Sequence, residues 1–217
     1  MTMLAAVRIG AIHSVVFAGF GPGALAERIR TTGSRLVFTA DVSYRKGTVV
    51  KLKEIVDSAL RTGGDTVEHV IVLQRSDKDA SVSGRDLGWE EFLEGGVGHD
   101  GSHVPMEANE PAYILATSGT TAKPKLTVST HGGYQVHVAS MGRWCFGLEP
   151  TDVWWATSDI GWIVGHSYMV YGPMLIGCTT IVFEGALDYP EPEANWRTAV
   201  EDFGVTGIFT SPTAIRA

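Results

Sequence analysis

Residues 117–125, with the sequence TSGTTAKPK, are the best candidates for chemistry in this chain of 217 residues. Four hydroxyl side chains, one glycine and two lysines lie within this short stretch. Hydroxyl and backbone N–H groups donate hydrogen bonds to phosphate oxygens, and lysine adds positive charge. The composition therefore predicts a phosphate-binding loop.

The two common nucleotide-binding patterns do not describe this loop. A Walker A loop needs Gly, four residues, Gly-Lys and then Ser or Thr. From Gly119 the chain lacks both the second glycine and the hydroxyl after the lysine. The GFGPG stretch at 19–23 is only a partial match to the dinucleotide fingerprint. From these residues alone, a hydroxyl-rich surface turn between a strand and a helix remains an alternative.

The loop resembles the Ser/Thr-Gly-Ser/Thr-Thr-Gly-x-Pro-Lys-Gly signature of adenylate-forming (AMP-binding) enzymes. These enzymes activate a carboxylate with ATP, release pyrophosphate and pass the acyl group to a thiol. RIGAIHSVVFAGF, SDIGWIVGHSYMVYGPMLIGCTTIVFEG and SPTAIRA are similar to segments of the short-chain branch, the acetyl- and propionyl-CoA synthetases, and occur in the same order. The resemblance covers nearly the whole chain.

The resemblance implies an AMP-forming short-chain acyl-CoA synthetase that joins acetate to CoA through an acyl-adenylate. ATP and CoA are the expected co-substrates, the enzyme is expected to be cytoplasmic, and propionate and acetoacetate stay open as substrates. The family's later motifs, including its adenylating lysine, match nothing in residues 1–217. We therefore expect an internal fragment of the large N-terminal AMP-binding domain, inactive alone. A truncated, non-catalytic remnant that binds nucleotide or CoA is the alternative.

The resemblance assigns the ATP site to the quoted loop. It implies that Lys125 is the catalytic residue. The residues that it implies for binding the ATP phosphates are Thr117, Ser118, Gly119, Thr120, Thr121, Ala122, Lys123 and Pro124. Family members usually have glycine at the positions of Ala122 and Leu126. If the backbone at Ala122 needs a positive φ, the added Cβ costs about 1–2 kcal/mol.

The resemblance assigns six residues to CoA: Phe17, Ala18, Gly19, Arg45, Val164 and Asp188. A guanidinium such as that of Arg45 suits a CoA phosphate because its donors form a planar fork. Four departures stand out against the family: Ala18 for glycine, Thr48 for a second arginine, Val164 for threonine and Asp188 for asparagine. An ordinary surface arginine, core packing and a strand-end turn are the structural alternatives.

Trp162, Ile163 and Val164 match the wall of the acyl pocket, and their apolar side chains suit a small aliphatic carboxylate. Core packing is the simpler interpretation for the tryptophans 154, 155 and 162. His166 is predicted to be a hydrogen-bonded structural residue. We assign no metal site, because His99 and His103 lack a carboxylate in zincin order; Mg²⁺ is expected only with ATP, on a ligand outside these residues.

Composition excludes several other classes of protein. The formal charge of −7 argues against a broad nucleic-acid or anionic-membrane surface. No apolar run is long enough to predict a membrane span. Cys145 and Cys178 match no clustered metal spacing and suggest no disulfide framework. Small-molecule substrates are the expected partners.

Strand and helix patterns alternate along the chain, which predicts an α/β fold of layered, largely parallel sheets flanked by helices. Residues 76–109, rich in Gly, Asp and Ser, are expected to form a surface excursion around a short helix at 88–95. Strands are predicted at 11–17, 35–41, 67–75, 112–116, 152–157, 179–185 and 205–211. The other helices are predicted at 23–33, 49–60, 132–146, 166–177, 193–204 and from residue 212 onward.

Overall fold

The computed structural model describes residues 1–77, 84–117 and 125–216. Its strands are β1 (Leu36–Ala40), β2 (Ser43–Arg45), β3 (Thr48–Val50), β4 (His69–Leu73), β5 (Asp86–Gly88), β6 (Pro111–Thr117), β7 (Lys125–Thr130), β8 (Val153–Ala156), β9 (Thr179–Thr180) and β10 (Gly207–Phe209). Its α-helices are α1 (Thr2–Arg8), α2 (Pro22–Thr32), α3 (Leu52–Gly63), α4 (Trp89–Glu94), α5 (His131–Ser140), α6 (Gly172–Ile176), α7 (Pro192–Arg197) and α8 (Pro212–Arg216).

The chain divides into two compact units. The continuous unit is Ala18–Ser102, and the split unit combines Met1–Phe17 with His103–Ala217. Among the described residues, each unit contains one three-stranded parallel sheet and one antiparallel hairpin. The predicted α/β class with largely parallel sheets is therefore confirmed.

The continuous unit has the strand order β1-β4-β5, with α2 and α3 packed beside the sheet. Helix α2 begins at Pro22 and ends before Gly33, whose φ of 63° is the left-handed conformation that favours glycine. Five buried residues of this unit form one apolar cluster: Ile29, Val56, Val67, Val70 and Val72.

Two buried charged side chains of the continuous unit, Asp41 and Lys53, each have close partners. The Asp41 carboxylate, just after β1, accepts backbone hydrogen bonds from Arg75 and Ser76 just after β4. Burial alone would raise the pKa of Asp41, but the hydrogen bonds from Ser76, Arg75 and Val42 outweigh it and lower that pKa. The Lys53 ammonium lies 2.6 Å from Asp57 and 3.0 Å from Asp86. These contacts fix the ends of neighbouring strands.

The split unit has the strand order β10-β8-β9, and β6 pairs with β7. Its helices extend into π-helical segments: Met141–Cys145 follows α5, Gly165–Tyr171 precedes α6, and Thr198–Asp202 follows α7. Trp154 and Trp155 of β8 are 4% and 1% exposed, so their prediction as core residues is confirmed.

Several sequence predictions were wrong. Residues 11–17 form only an isolated parallel bridge, His13 with Tyr113, and helix α1 was not predicted. The predicted strand 179–185 shortens to β9. The hairpin of β2 and β3 was missed, and α3 begins at Leu52 rather than at residue 49 because β3 takes the valines before it. β-branched residues are stiff in both helix and strand patterns, so short apolar runs are ambiguous.

In the described part of the chain, every helix is too short or too polar to cross a membrane.

Candidate functional site

The polar loop is carried by an antiparallel hairpin, here called the long-loop hairpin, made of β6 and β7. Thr117 at the end of β6 lies opposite Lys125 at the start of β7. Residues 118–124, which hold the rest of the predicted phosphate contacts (Ser118, Gly119, Thr120, Thr121, Ala122, Lys123 and Pro124), lie outside the described residues. The expected connection from strand to helix was wrong, because KLTVST forms a strand before α5 begins.

The hairpin register fixes where the loop starts and returns. Pairing runs from Thr117 opposite Lys125 through Ile114 opposite Val128. Neighbouring strands lie about 5 Å apart, so the two ends of the loop are held side by side. Lys125 is exposed and is the first residue of β7, so it directly follows the hydroxyl-rich loop in sequence. The strand pairing thus fixes the two points between which the hydroxyl-rich segment runs.

Leu126 shows that one departure from the family signature causes no backbone strain here. It is half-buried in β7, opposite Ala116. Among the described residues, the positive-φ position that is not glycine is Lys46, so Leu126 has an ordinary strand conformation. A glycine at position 126 is not required by this backbone.

Around Tyr113 of β6 lies a group of packed rings, here called the His–Tyr cluster: His13, Tyr113, Tyr134, His166 and Tyr171. The two imidazoles are parallel within 3° with centroids 5.8 Å apart, and Tyr113 lies 4.8 Å from both Tyr134 and His166. The Ile114 N–H donates to the His13 carbonyl at 2.9 Å. The cluster thus supports the strand that leads into the polar loop.

The imidazoles of this cluster are neutral at physiological pH. Burial, with a smaller contribution from neighbouring His166, lowers the pKa of His13 to about 4. Burial also lowers the pKa of His166. Its Nδ1 lies 3.2 Å from the Trp162 carbonyl, which confirms a structural, hydrogen-bonded role. Within the described residues, His13 Nδ1 and His166 Nε2 have no hydrogen-bond partner.

The predicted acyl wall lies on a tight turn after β8. The Asp159 side chain accepts a hydrogen bond from Gly161 N–H at 2.7 Å, and the Asp159 carbonyl accepts one from Trp162 N–H at 3.0 Å. A Cβ at Gly161 would meet the Phe17 backbone at 2.7 Å, so only glycine allows this approach. The Phe17 and Trp162 rings consequently lie 5.7 Å apart.

The exposure of this turn distinguishes it from the core. Trp162 is 43% exposed and Ile163 is 53% exposed, whereas Val164 is half-buried. The core interpretation of Trp162 was therefore wrong. An aromatic and an aliphatic side chain left accessible on a turn that is itself well hydrogen-bonded could contact an apolar group of a ligand.

The other CoA candidates are divided between the two units. Ala18, Gly19 and Arg45 belong to the continuous unit, whereas Phe17, Val164 and Asp188 belong to the split unit. The structure brings Phe17 into contact with the predicted acyl wall.

Arg45 ends β2 in an antiparallel hairpin, here called the short-turn hairpin, made of β2 and β3. It lies opposite Thr48, and the turn between them is Lys46 and Gly47, with φ of 48° and 71°. Positive φ at both positions is the pattern of a two-residue turn that matches the twist of a hairpin. The exposed Arg45 thus lies beside a compact turn, and the missing second arginine of the family would have been directly opposite it, at Thr48.

No metal site emerges from the described residues, which bring together no group of three or more His, Cys, Asp or Glu side chains. His99 and His103 are both exposed and belong to different units. A cavity of about 350 Å³ in the split unit is lined by residues that include Arg8, His103 and His131. None of the predicted site residues lines this cavity.

Comparison with known proteins gives a consistent result. The AMP-binding enzyme family matches residues 1–217. The chain is 51% identical over 219 residues to "Acetyl-coenzyme A synthetase" of Pyrobaculum arsenaticum and covers 32% of that protein. It is 46% identical over 221 residues to the protein of the same name from Salmonella typhi and covers 33% of it. Both matches include the whole of this chain, which spans about a third of the length of these curated relatives.

A solved structure shows the same fold. The "Acetoacetyl-CoA Synthetase from Streptomyces lividans" superposes with a TM-score of 0.87 at 24% sequence identity. The match covers 99% of this chain and 32% of that protein.

Proposed function

Because this chain belongs to the AMP-binding enzyme family, we propose that it forms part of an AMP-forming short-chain acyl-CoA synthetase acting on acetate. One observation carries this proposal: proteins named acetyl-coenzyme A synthetase align with the whole chain at 51% and 46% identity. In the proposed reaction the acetate carboxylate displaces pyrophosphate from ATP to form acetyl-AMP. The CoA thiol then attacks the acyl carbon, and AMP leaves.

We place the chain within the large N-terminal domain of such an enzyme. The chain spans about a third of its curated relatives, and the adenylating lysine and C-terminal domain of the family match none of its residues. Complete turnover is therefore assigned to the full-length enzyme, which we expect to be cytoplasmic.

The long-loop hairpin is proposed to hold the ATP phosphates. Thr117 and Lys125 are held opposite each other in the strand pairing, so the hydroxyl-rich segment between them begins and ends at neighbouring strands. Lys125 offers positive charge as pyrophosphate leaves, and such charge stabilisation is most effective when the donor is positioned beforehand. The frame therefore supports binding of the triphosphate at this loop.

The short-turn hairpin is proposed to bind CoA through Arg45. A CoA phosphate is a dianion, and a guanidinium binds it with charge-assisted hydrogen bonds. Phe17, Ala18 and Gly19 are proposed for the adenine, and Val164 and Asp188 complete the CoA positions. Of these residues, Ala18, Gly19 and Arg45 belong to the continuous unit, and Phe17, Val164 and Asp188 belong to the split unit.

Trp162, Ile163 and Val164 are proposed to form one wall of the acyl pocket. Their exposure leaves apolar surface for a short methyl group or a slightly longer chain. The described residues offer no cluster of acidic or imidazole side chains for Mg²⁺. From the resemblance to the family, we propose that the ligand of the ATP-associated Mg²⁺ lies outside this chain.

An assay of the full-length enzyme with separate carboxylates tests the proposal. Acetate should support both ATP–pyrophosphate exchange and formation of a CoA thioester, with a higher kcat/KM than propionate or acetoacetate. A preference for propionate would keep the reaction class and overturn the substrate. Binding of nucleotide or CoA without exchange, with any of the three acids, would establish a non-catalytic remnant instead.

A further inference from the structure

The Asn195 side chain ties the exposed turn that presents Asp188. The Asn195 Nδ2 donates to the Leu187 carbonyl at 3.0 Å and to the Tyr189 carbonyl at 2.9 Å. It also lies 3.5 Å from the Ala186 carbonyl. The two residues that flank Asp188 are therefore both tied to one carboxamide.

The orientation of this carboxamide is determined by its neighbours. All three nearby groups are carbonyl oxygens, which only accept hydrogen bonds, so the NH₂ group and not Oδ1 must face the turn. The Tyr189 N–H donates to the Ala186 carbonyl at 3.1 Å and closes the turn from within. With Ala186 buried, the turn is fixed on both sides of the exposed Asp188.

Helix α7, which carries Asn195, is itself attached to the sheet. The Trp196 ring lies 5.1 Å from Trp155 of β8, and Phe183 before the turn lies 6.0 Å from the same ring. Trp155 is 1% exposed. Both ends of the segment that contains Asp188 are thus anchored on one buried tryptophan, and Asn195 connects that anchor to the turn.

We propose that Asn195 is a positioning residue for the thioester-forming step, which fixes the turn so that Asp188 has one defined place beside CoA. This role rests on the proposed function, in which Asp188 occupies a CoA position. A contact residue on an exposed turn contributes only if its neighbours hold it near the productive geometry. The carboxamide supplies that restraint without touching CoA.

Substitution of Asn195 in the full-length enzyme tests the role. Asn195→Leu keeps a similar size and removes both donors, and its KM for CoA should rise about tenfold, while acetate-dependent ATP–pyrophosphate exchange stays within about twofold of wild type. Asn195→Gln keeps the carboxamide and should restore part of the CoA affinity. Glu193→Gln, an exposed change on the same helix, is the matched control and should leave both half-reactions unchanged.

A double-mutant cycle with Asp188→Ala separates positioning from general damage. If Asn195 acts through Asp188, Asn195→Leu should have much less effect on the KM for CoA in the Asp188→Ala background. Additive effects, or equal losses in both half-reactions, would overturn the role. If Asn195→Leu does not fold, Asn195→Ser, which also removes the carboxamide, takes its place: a KM for CoA equal to that of wild type overturns the role, and a rise that depends on Asp188 supports it.

The proposed function and this role can fail separately. Wild-type enzyme without acetate-dependent exchange would contradict the function. Calorimetric titration with CoA alone would then still show whether Asn195→Leu weakens CoA binding in a way that depends on Asp188.

Discussion

The two hairpins found among the described residues differ in what joins their strands. The long-loop hairpin pairs Thr117 with Lys125 across residues 118–124, whereas the short-turn hairpin pairs Arg45 with Thr48 across only Lys46 and Gly47. A long polar loop can surround an anion with many donors, and a tight turn can only present a side chain beside it. The long loop therefore suits a triphosphate, which needs many donors around it. The tight turn suits a terminal phosphate that contacts one charged side chain.

Both hairpins are antiparallel elements in units whose other described strands pair in parallel. The proposed binding groups thus lie on local hairpins, while the parallel sheets supply the packed frame. If this division of roles is correct, changes in the two hairpins should affect different half-reactions.

The largest effect is expected from Lys125→Ala in the long-loop hairpin. Loss of a charge-assisted contact to the phosphates should cost about 1.5–3 kcal/mol, which slows acyl-adenylate formation by about 10- to 150-fold. ATP–pyrophosphate exchange measures this step. Arg143 is also exposed and belongs to the same unit, so Arg143→Ala serves as the control and should keep the wild-type rate. Exchange at the wild-type rate in the Lys125→Ala enzyme would remove Lys125 from the site.

Acid should loosen the long-loop hairpin and spare the short-turn hairpin. The pKa of His13 is about 4 in the folded state, below the ordinary value of 6.5. Between these two values the unfolded chain binds more protons, so stability falls as the pH falls. Discounted for the partial exposure of His13, the loss in free energy of unfolding is about 2 kcal/mol.

Hydrogen exchange can detect this loss locally. The Ile114 amide, which donates to the His13 carbonyl, should lose protection between pH 6.5 and 4.5 after correction for intrinsic rates. Amides of the short-turn hairpin serve as the internal control, and His13→Gln should flatten the dependence. Equal loss of protection in both hairpins would contradict a local origin.

Arg45→Ala should raise the KM for CoA by about tenfold, because an exposed charge-assisted contact contributes about 1 kcal/mol or somewhat more. ATP–pyrophosphate exchange should not change, since the contact is made only to CoA. Arg61→Ala, an exposed arginine on α3 in the same unit, is the control. Equal losses in both half-reactions would make Arg45 a structural residue.

The smallest effect is expected from Gly47→Ala. Gly47 has a φ of 71°, where an added Cβ costs about 1 kcal/mol. The turn should shift slightly and raise the KM for CoA by about threefold, without an effect on exchange. Gly84→Ala imposes similar strain at a φ of 65°, where the Cβ meets no atom of the described residues within 4 Å. If Gly84→Ala raises the KM equally, the effect is not specific to the hairpin.

The sequence predicted the parallel frame better than the hairpins. Val70, Ile71 and Val72 form a buried apolar run, and such runs are typical of strands covered on both faces. Strand β3 has only three residues, TVV, and β7 has the alternating stretch KLTVS directly after the polar loop. Neither was predicted as a strand, and each is completed by the partner strand opposite it. Partner strands are tertiary information that a local pattern does not contain.

The candidate site shows a similar division. The roles of the polar loop and of Arg45 stay predictions, since they rest on residue type and on resemblance to a family. The contacts of Asn195 could not be predicted, because a lone asparagine in a predicted helix gives no sign that three carbonyl groups will surround it. The need for glycine at position 161 could not be predicted either, because it depends on the close approach of the Phe17 backbone.

The bridge between His13 and Tyr113 has a consequence for the order of folding. It joins parts of the split unit that are separated in sequence by the whole of Ala18–Ser102. If that segment were still a random coil, closing it as a loop would carry an entropy cost of about 4 kcal/mol, from the logarithmic dependence on loop length. A continuous unit that folds first makes the intervening segment compact and lowers this cost. Formation of the bridge should therefore be a late event, with low φ-values at His13, after the hairpins and the continuous unit have formed.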